Sequence, residues 1–329
     1  MYYYPTRRRF LIGCGAAAAG AALPVTRLLA GTDPPAKARV VIARDDALQR
    51  GEPSEHGQLL AKLLDAAVQK LTDTPDPVAA WRRLFSPRQR VGIKVNALGR
   101  ATQPVVVDAI VAGLRQAGVP AEHIIIWDRF DTELVRAGFK LNKTGDGVRC
   151  RGTDADKIGS GYQSEVEKSG EVGTCFSRIL TDEVDTLISV PVLKDHNLAG
   201  VSLGMKNFYG AIHNPNKYHG NNCDPYIADV VAHRYIGPRW RLTVVDGTRA
   251  QYHGGPGLRP AHTWLFGGLI VGTDFVAVDA VGAHLLDEQR RSEGMKPVAE
   301  DGRPARHIAT AGTRGLGVAE LDRIERIEV

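Results

Sequence analysis

The feature that most limits what this chain can fold into is a repeated alternation of two patterns. Runs at Val40–Ala43, Val91–Val95, Ile124–Trp127, Thr186–Val190, Leu242–Val245 and Leu269–Val271 are apolar without alternating, and polar residues bound them. Strands read this way when both of their faces are covered. Between the runs lie helical stripes. Leu59, Leu60, Leu63, Leu64, Ala67, Val68 and Leu71 make one, Val106, Ile110 and Leu114 after Pro104 a second, and Val278, Val281 and Leu285 a third. Strands alternating with helices predict an α/β fold, a mostly parallel sheet with helices on both faces. Residues 39–329 are expected to form one such domain. Residues 140–180 are Gly-rich, polar and weakly periodic, and read as an insertion or lid.

The N-terminal segment follows different rules. Thr6-Arg7-Arg8-Arg9-Phe10-Leu11 has the twin-arginine pattern, and a weakly apolar Ala/Gly-rich stretch runs from Phe10 to Leu23 before Pro24. This is the layout of a removable export signal, expected over residues 1–30 with a cut as late as 38. The stretch is shorter than the roughly 20 apolar residues of a membrane span, and no later run approaches one. The expected partner is therefore the twin-arginine translocase, and the expected location is periplasmic or extracellular. Residues 1–30 hold four arginines and no acid, so the formal charge of +5 falls by four without them. The basic balance belongs largely to the signal, which removes the main argument for nucleic acid as a partner.

The cysteines are Cys14, Cys150, Cys175 and Cys223, with no Cys-x-x-Cys pair. No iron–sulfur or zinc-ribbon motif is encoded by that spacing. Gly312-Thr313-Arg314-Gly315-Leu316-Gly317 neither follows a clear strand nor opens a clear helix, so it is not a dinucleotide fingerprint.

Polar residues gather just beyond the strands. Asn96, Asp128, Lys194 with His196, Asp246 and Asp274 each follow one of the apolar runs. In open parallel sheets ligands bind outside the carboxyl ends of the strands, so a site is expected at that rim. Asp274, ahead of a helical stripe, also reads as an N-cap. The densest stretch is 190–224, with Lys194, His196, Lys206, Asn207, His213, His219 and Cys223 among glycines and asparagines. Imidazoles ligate metals or move protons near neutral pH, and lysines hold anions or, once desolvated, attack carbonyls. A helix running unbroken from 196 to 206 would set His196 and Lys206 about 15 Å apart along its axis. Gly200 and Gly204 instead predict a break before Ser202, with a new helix N-terminus offering N–H groups to an anion.

Ile93-Lys94-Val95-Asn96, Pro191-Val192-Leu193-Lys194-Asp195-His196, Lys206-Asn207-Phe208-Tyr209-Gly210, Val245-Asp246-Gly247 and Asp274-Phe275-Val276-Ala277-Val278-Asp279 together resemble the proteins grouped as domain of unknown function 362. That resemblance spans roughly residues 40–315 and implies no particular reaction. Separately, His196, Gly200, Ser202 and Lys206 are similar in order and spacing to a segment of the lactate racemase family. There the histidine is an acid/base and the lysine bears a covalent nickel-pincer nucleotide. A later histidine ligates nickel; His219 is the nearest match and His213 the second. This chain departs from that pattern in having Leu203-Gly204 where the family has paired glycines.

These readings converge on an exported enzyme acting on a small anionic substrate, by isomerase-like or redox chemistry. His196, Lys206 and Lys194 are the expected catalytic groups. Lys206, Asn207, Asn96, Lys94, Asp246 and Asp128 are expected around a cofactor, either a transition metal or a nickel-pincer-like nucleotide. His219, His213 and Cys223 are the expected metal ligands. The same residues would also suit a non-catalytic periplasmic protein that binds a metal or an anion.

Overall fold

Apolar side chains on successive strand residues point to opposite faces, so a strand with both faces apolar must be covered twice. Both covers are present in the computed structural model, which describes residues 37–154 and 161–329. The expected signal peptide lies outside the described residues. Lys37–Val329 forms one compact unit.

In chain order the strands are β1 (Ala38–Arg44), β2 (Val91–Val95), β3 (Ile124–Phe130), β4 (Arg149–Asp154), β5 (Glu167–Ser169), β6 (Val172–Thr174), β7 (Thr186–Val190), β8 (Val192–His196), β9 (Gly200–Val201), β10 (Trp240–Gln251), β11 (Thr263–Trp264), β12 (Gly268–Gly272) and β13 (Ile324–Glu328). The α-helices are α1 (Gly57–Thr72), α2 (Pro77–Leu84), α3 (Pro104–Gln116), α4 (Asp131–Arg136), α5 (Gly204–Asn207), α6 (Tyr226–Ala232), α7 (Phe275–Ser292) and α8 (Arg306–Thr313).

The main sheet runs in the order β13-β1-β12-β10-β7-β2-β3-β4. Pairings from β10 through β7, β2 and β3 to β4 are parallel. β12 alone on this path runs against its neighbours β10 and β1. It follows β10 by way of the short strand β11, with no intervening α-helix to carry the chain back across the sheet.

The strand faces divide as the pleat requires. Val41, Ala43, Ile93, Ile124, Ile126, Val244 and Val271 join α1, α2 and α3 in one core, with Leu60, Leu64, Trp81, Ile110 and Leu114. Val40, Ile42, Ile125, Trp127, Val245 and Ile270 join the other, with Met205, Ile227, Val278, Val281 and Ile308 from α5 to α8. Asp274 is the N-cap of α7; its Oδ1 accepts from the Val276 and Ala277 amides.

Part of the stretch expected as an insertion or lid is structural. Arg149–Asp154 is the edge strand β4, parallel to β3, and β5 and β6 form a small antiparallel hairpin. Its weak periodicity reflects an edge position and a two-stranded ribbon, neither of which needs a long apolar run. Residues 155–160 of it lie outside the described residues.

Candidate functional site

The chain from β7 to α5 builds one wall of a cavity. Pro191 separates β7 from β8, and its carbonyl accepts the Asp246 amide at 2.8 Å. β8 ends at His196, whose Nδ1 accepts the amides of Leu198 (3.1 Å) and Ala199 (3.2 Å). A nitrogen accepting two N–H groups carries no proton, so the neutral ring holds its hydrogen on Nε2. The chain then reverses at Gly200, where φ is +78° and an added Cβ would lie 2.4 Å from the Arg303 carbonyl oxygen. Glycine alone takes that conformation and that proximity without strain. The Ser202 amide returns to the Lys194 carbonyl at 2.9 Å, and α5 begins at Gly204.

The break between His196 and Lys206 is therefore real, but the expected anion site at the helix start is not. The Gly204 and Met205 amides already donate to the two oxygens of Asp279, at 2.7 and 3.0 Å. α5 spans four residues, too short for its dipole to matter. Asp279 is fully buried on α7, and burial pushes its carboxyl up to about 7. Its place is structural: it pins the turn that presents Lys206.

Three lysines are buried here among the described residues, and their surroundings differ. The Lys94 ammonium sits 2.5 Å from Asp128 Oδ1, 2.7 Å from the Val95 carbonyl and 3.2 Å from Asn207 Oδ1. Burial pulls its pKa down while Asp128 opposes the shift. Gly210 makes room for this pair, since a Cβ there would meet Asp128 Oδ1 at 2.5 Å. Asn207 is fully committed to the same lattice, donating to the Lys94 carbonyl at 2.8 Å and to Ser189 Oγ at 3.1 Å. Lys194 donates to Asn96 Oδ1, the Leu98 carbonyl and the Arg100 carbonyl, each at 2.8 Å. Burial pulls it down to about 7, and those three acceptors take all of its hydrogens.

Lys206 is different. Its Nζ lies 3.2 Å from His219 Nε2 and 4.2 Å from the centre of the Tyr209 ring. His219 Nδ1 is 3.2 Å from the Pro215 carbonyl, which can only accept, so that nitrogen carries the hydrogen and Nε2 is free to accept from Lys206. Burial draws Lys206 down to about 8. The His196 and His219 rings stack 5.7 Å apart. Burial first, and the Lys206 cation second, depress His196 to about 2, so it stays neutral. With Nδ1 accepting, the ring's hydrogen lies on Nε2, where it can be donated.

These groups face a cavity of about 240 Å³ lined by Lys94, Asn96, Asp128, Arg129, His196, Ser202, Lys206, Asn207 and His219 among others. It opens where β2 and β3 end, the rim expected from the sequence. Of the expected catalytic and cofactor residues, Lys194 and Asp246 stand behind that wall. Asp246 is buried and accepts from the Gln103 amide (2.8 Å) and from the amide and hydroxyl of Thr248 (2.9 and 2.6 Å).

The expected metal ligands are not brought together. His213 is exposed and packs against Tyr162, while Cys223 is buried with its Sγ 4.0 Å from the His219 carbonyl. No group of three or more His, Cys, Asp or Glu side chains suited to a metal ion occurs among the described residues.

Arg129 and His307 escaped the sequence reading, and Asp279 entered it only as the end of a family motif. Arg129 follows Asp128 at the end of β3 and lines the cavity, and its Nε is buried with no acceptor among the described residues. The strand-end rule that singled out Asp128 applies equally to its neighbour. His307 is fully buried with neither ring nitrogen partnered among the described residues, and burial together with the Lys206 cation depresses it to about 3. No sequence signal separates it from an ordinary core residue.

A search of curated proteins finds no match. A family model does match, over residues 91–284, a span that holds every residue lining the cavity. The chain belongs to the family described as a domain of unknown function, DUF362.

Proposed function

We propose that this protein is an enzyme acting on a small anionic substrate, with Lys206 as the group that meets the anion. The observation that carries this reading is the isolation of Lys206: a buried ammonium, facing a cavity, with an imidazole nitrogen and a ring face for company and no oxygen acceptor among the described residues. A buried cation without a counter-charge is costly, and an incoming carboxylate or oxyanion relieves that cost. The neutral His196 offers Nε2–H to a substrate oxygen, and His219 Nε2 can accept a proton from the Lys206 ammonium. A donor, an acceptor and a cation in one cavity are the parts of proton-transfer chemistry next to a carbonyl or carboxylate.

The residues present do not fit the cofactors that the lactate racemase resemblance implies. His213, His219 and Cys223 do not form a ligand set. Sites for larger ligands run to about 300–1,000 Å³, and the cavity of about 240 Å³ falls below that range. A substrate of a few heavy atoms suits that space. The export reading stands beside this one: Arg7 and Arg8 support delivery of the folded domain through the twin-arginine translocase.

Thermal unfolding of the full chain with a panel of small carboxylates tests the site. Stabilisation by at least one of them, lost in Lys206→Met, is expected. Equal response of the wild type and Lys206→Met would remove Lys206 from the reading. Solvent deuterium exchange at the carbon next to the carboxylate, followed by NMR, separates the enzyme from the binding protein. Binding without exchange or turnover would leave the non-catalytic alternative.

A further inference from the structure

We propose that Lys206 forms a covalent imine with a small 2-oxo acid. The inference rests on the small-anion reading of the cavity and adds the substrate class and the bond that forms.

The geometry separates Lys206 from the other buried lysines. Lys94 and Lys194 each spend their hydrogens on three oxygen acceptors. Those acceptors fix both side chains in place, and Lys194 stands behind the cavity wall. Among the described residues Lys206 has a single hydrogen-bond partner, and that partner is a basic nitrogen, His219 Nε2 at 3.2 Å. The Pro215 carbonyl holds the ring in the tautomer that can take a proton there. A lysine amine desolvated beside a proton acceptor is an activated nucleophile. The electrophile it suits is a carbonyl, and His196 stands across the same cavity with Nε2–H as donor to a carbonyl oxygen. Arg129 lines the same cavity, and its guanidinium suits the adjoining carboxylate.

The chemistry balances without an added oxidant. His219 Nε2 takes one proton from the Lys206 ammonium. The freed amine attacks the substrate carbonyl carbon, a C–N bond forms, and the π pair moves to oxygen, which takes that proton back from His219. The hydroxyl then leaves as water with a second proton from the nitrogen, by way of His219. A protonated imine remains: ammonium plus ketone has become iminium plus water. The iminium draws electrons from the neighbouring carbon, which is what isomerisation or bond cleavage at that carbon needs.

The test incubates the full chain with pyruvate or glyoxylate and sodium cyanoborohydride, which reduces an iminium to a stable secondary amine. Intact mass should show one reduced adduct, and peptide mapping should place it on Lys206. The reaction there should be roughly tenfold faster than at any other lysine, since Lys206 is a desolvated amine that faces the cavity beside a proton acceptor. Lactate and acetate should give no adduct but should slow its formation. Mapping on the wild type keeps the test independent of whether Lys206→Arg folds. Absence of an adduct, or adducts spread evenly over exposed lysines, while acetate still stabilises the fold, would overturn the imine and leave the anion site standing. If no carboxylate or 2-oxo acid alters the unfolding temperature, the anion site fails and the imine with it.

Discussion

The Lys206 ammonium lies 3.2 Å from Nε2 of His219, and the opposite nitrogen of that ring is tied to the Pro215 carbonyl at 3.2 Å. The pair forms a short relay in which a lysine leans on a neutral base and on no carboxylate among the described residues. Its consequences can be measured.

Lys206 sits at about 8 against 10.5 for an ordinary lysine. Between those values the unfolded chain binds a proton that the folded chain lacks. Lys206 therefore adds stability as pH rises from about 8 towards 10.5, and contributes a constant penalty below that window. Affinity for a carboxylate moves the other way and falls as pH rises through about 8. Urea midpoints of wild type and Lys206→Met across this range should diverge in slope, the variant lacking the alkaline gain. Lys194 adds its own gain from about 7 upward in both proteins, so the difference isolates Lys206.

His196 should not titrate where an ordinary imidazole does. Burial and the Lys206 cation hold it near 2. Nitrogen-15 shifts should show a neutral ring protonated on Nε2 throughout the range around 6.5. An imidazolium signal growing in below pH 6.5 would show that the ring is wetter than its contacts imply.

Asp128 and Asp246 serve the fold more than the rim. Asp128→Asn leaves the Lys94 ammonium buried without its counter-charge, which should cost about 3–5 kcal/mol in urea unfolding. Replacing both partners, as Lys94→Met with Asp128→Leu, should recover part of that loss. Asp246→Asn disturbs hydrogen bonds to Gln103 and Thr248 and should cost about 1–3 kcal/mol. A midpoint unchanged in both single variants, with ligand response lost, would return these residues to the rim.

Asp279 touches nothing in the cavity yet sets the position of Lys206. Asp279→Ala strands the Gly204 and Met205 amides, at roughly 1–3 kcal/mol for each buried group left unpaired. Carboxylate affinity should fall along with stability. Asp279→Asn, which can pair one of the two amides, should restore part of each.

Export should depend on the arginine pair itself. Changing Arg7 and Arg8 to Lys keeps the charge, but the translocase reads the signal as an address. The double variant should accumulate as precursor in the cytoplasmic fraction. Its normal appearance outside would point to the unfolded-chain route.

Much of this was legible in order of residues alone. Each of the six apolar runs lies in a strand, from β1 to β12, and the three stripes became α1, α3 and α7. Periodicity is a local property, and burial on two faces leaves a local mark. The chain break between His196 and Ser202 was legible from Gly200 and Gly204. β8 and the edge strands β4 and β13 were not, since they carry short, mixed patterns that gain order from a neighbouring strand.

What the sequence by itself determined is the alternation of strands and helices, the rim where the polar residues gather, and the set of lysines and histidines brought there. What only the tertiary structure decided is which of them are free to act. The acceptors that saturate Lys94 and Lys194 include Asn207 and Asn96, 113 and 98 residues away, and the carboxylate that occupies the α5 amides comes from 75 residues on. A side chain's hydrogen bonds are filled by whatever folding places within about 3 Å of it, and sequence spacing carries no record of that distance.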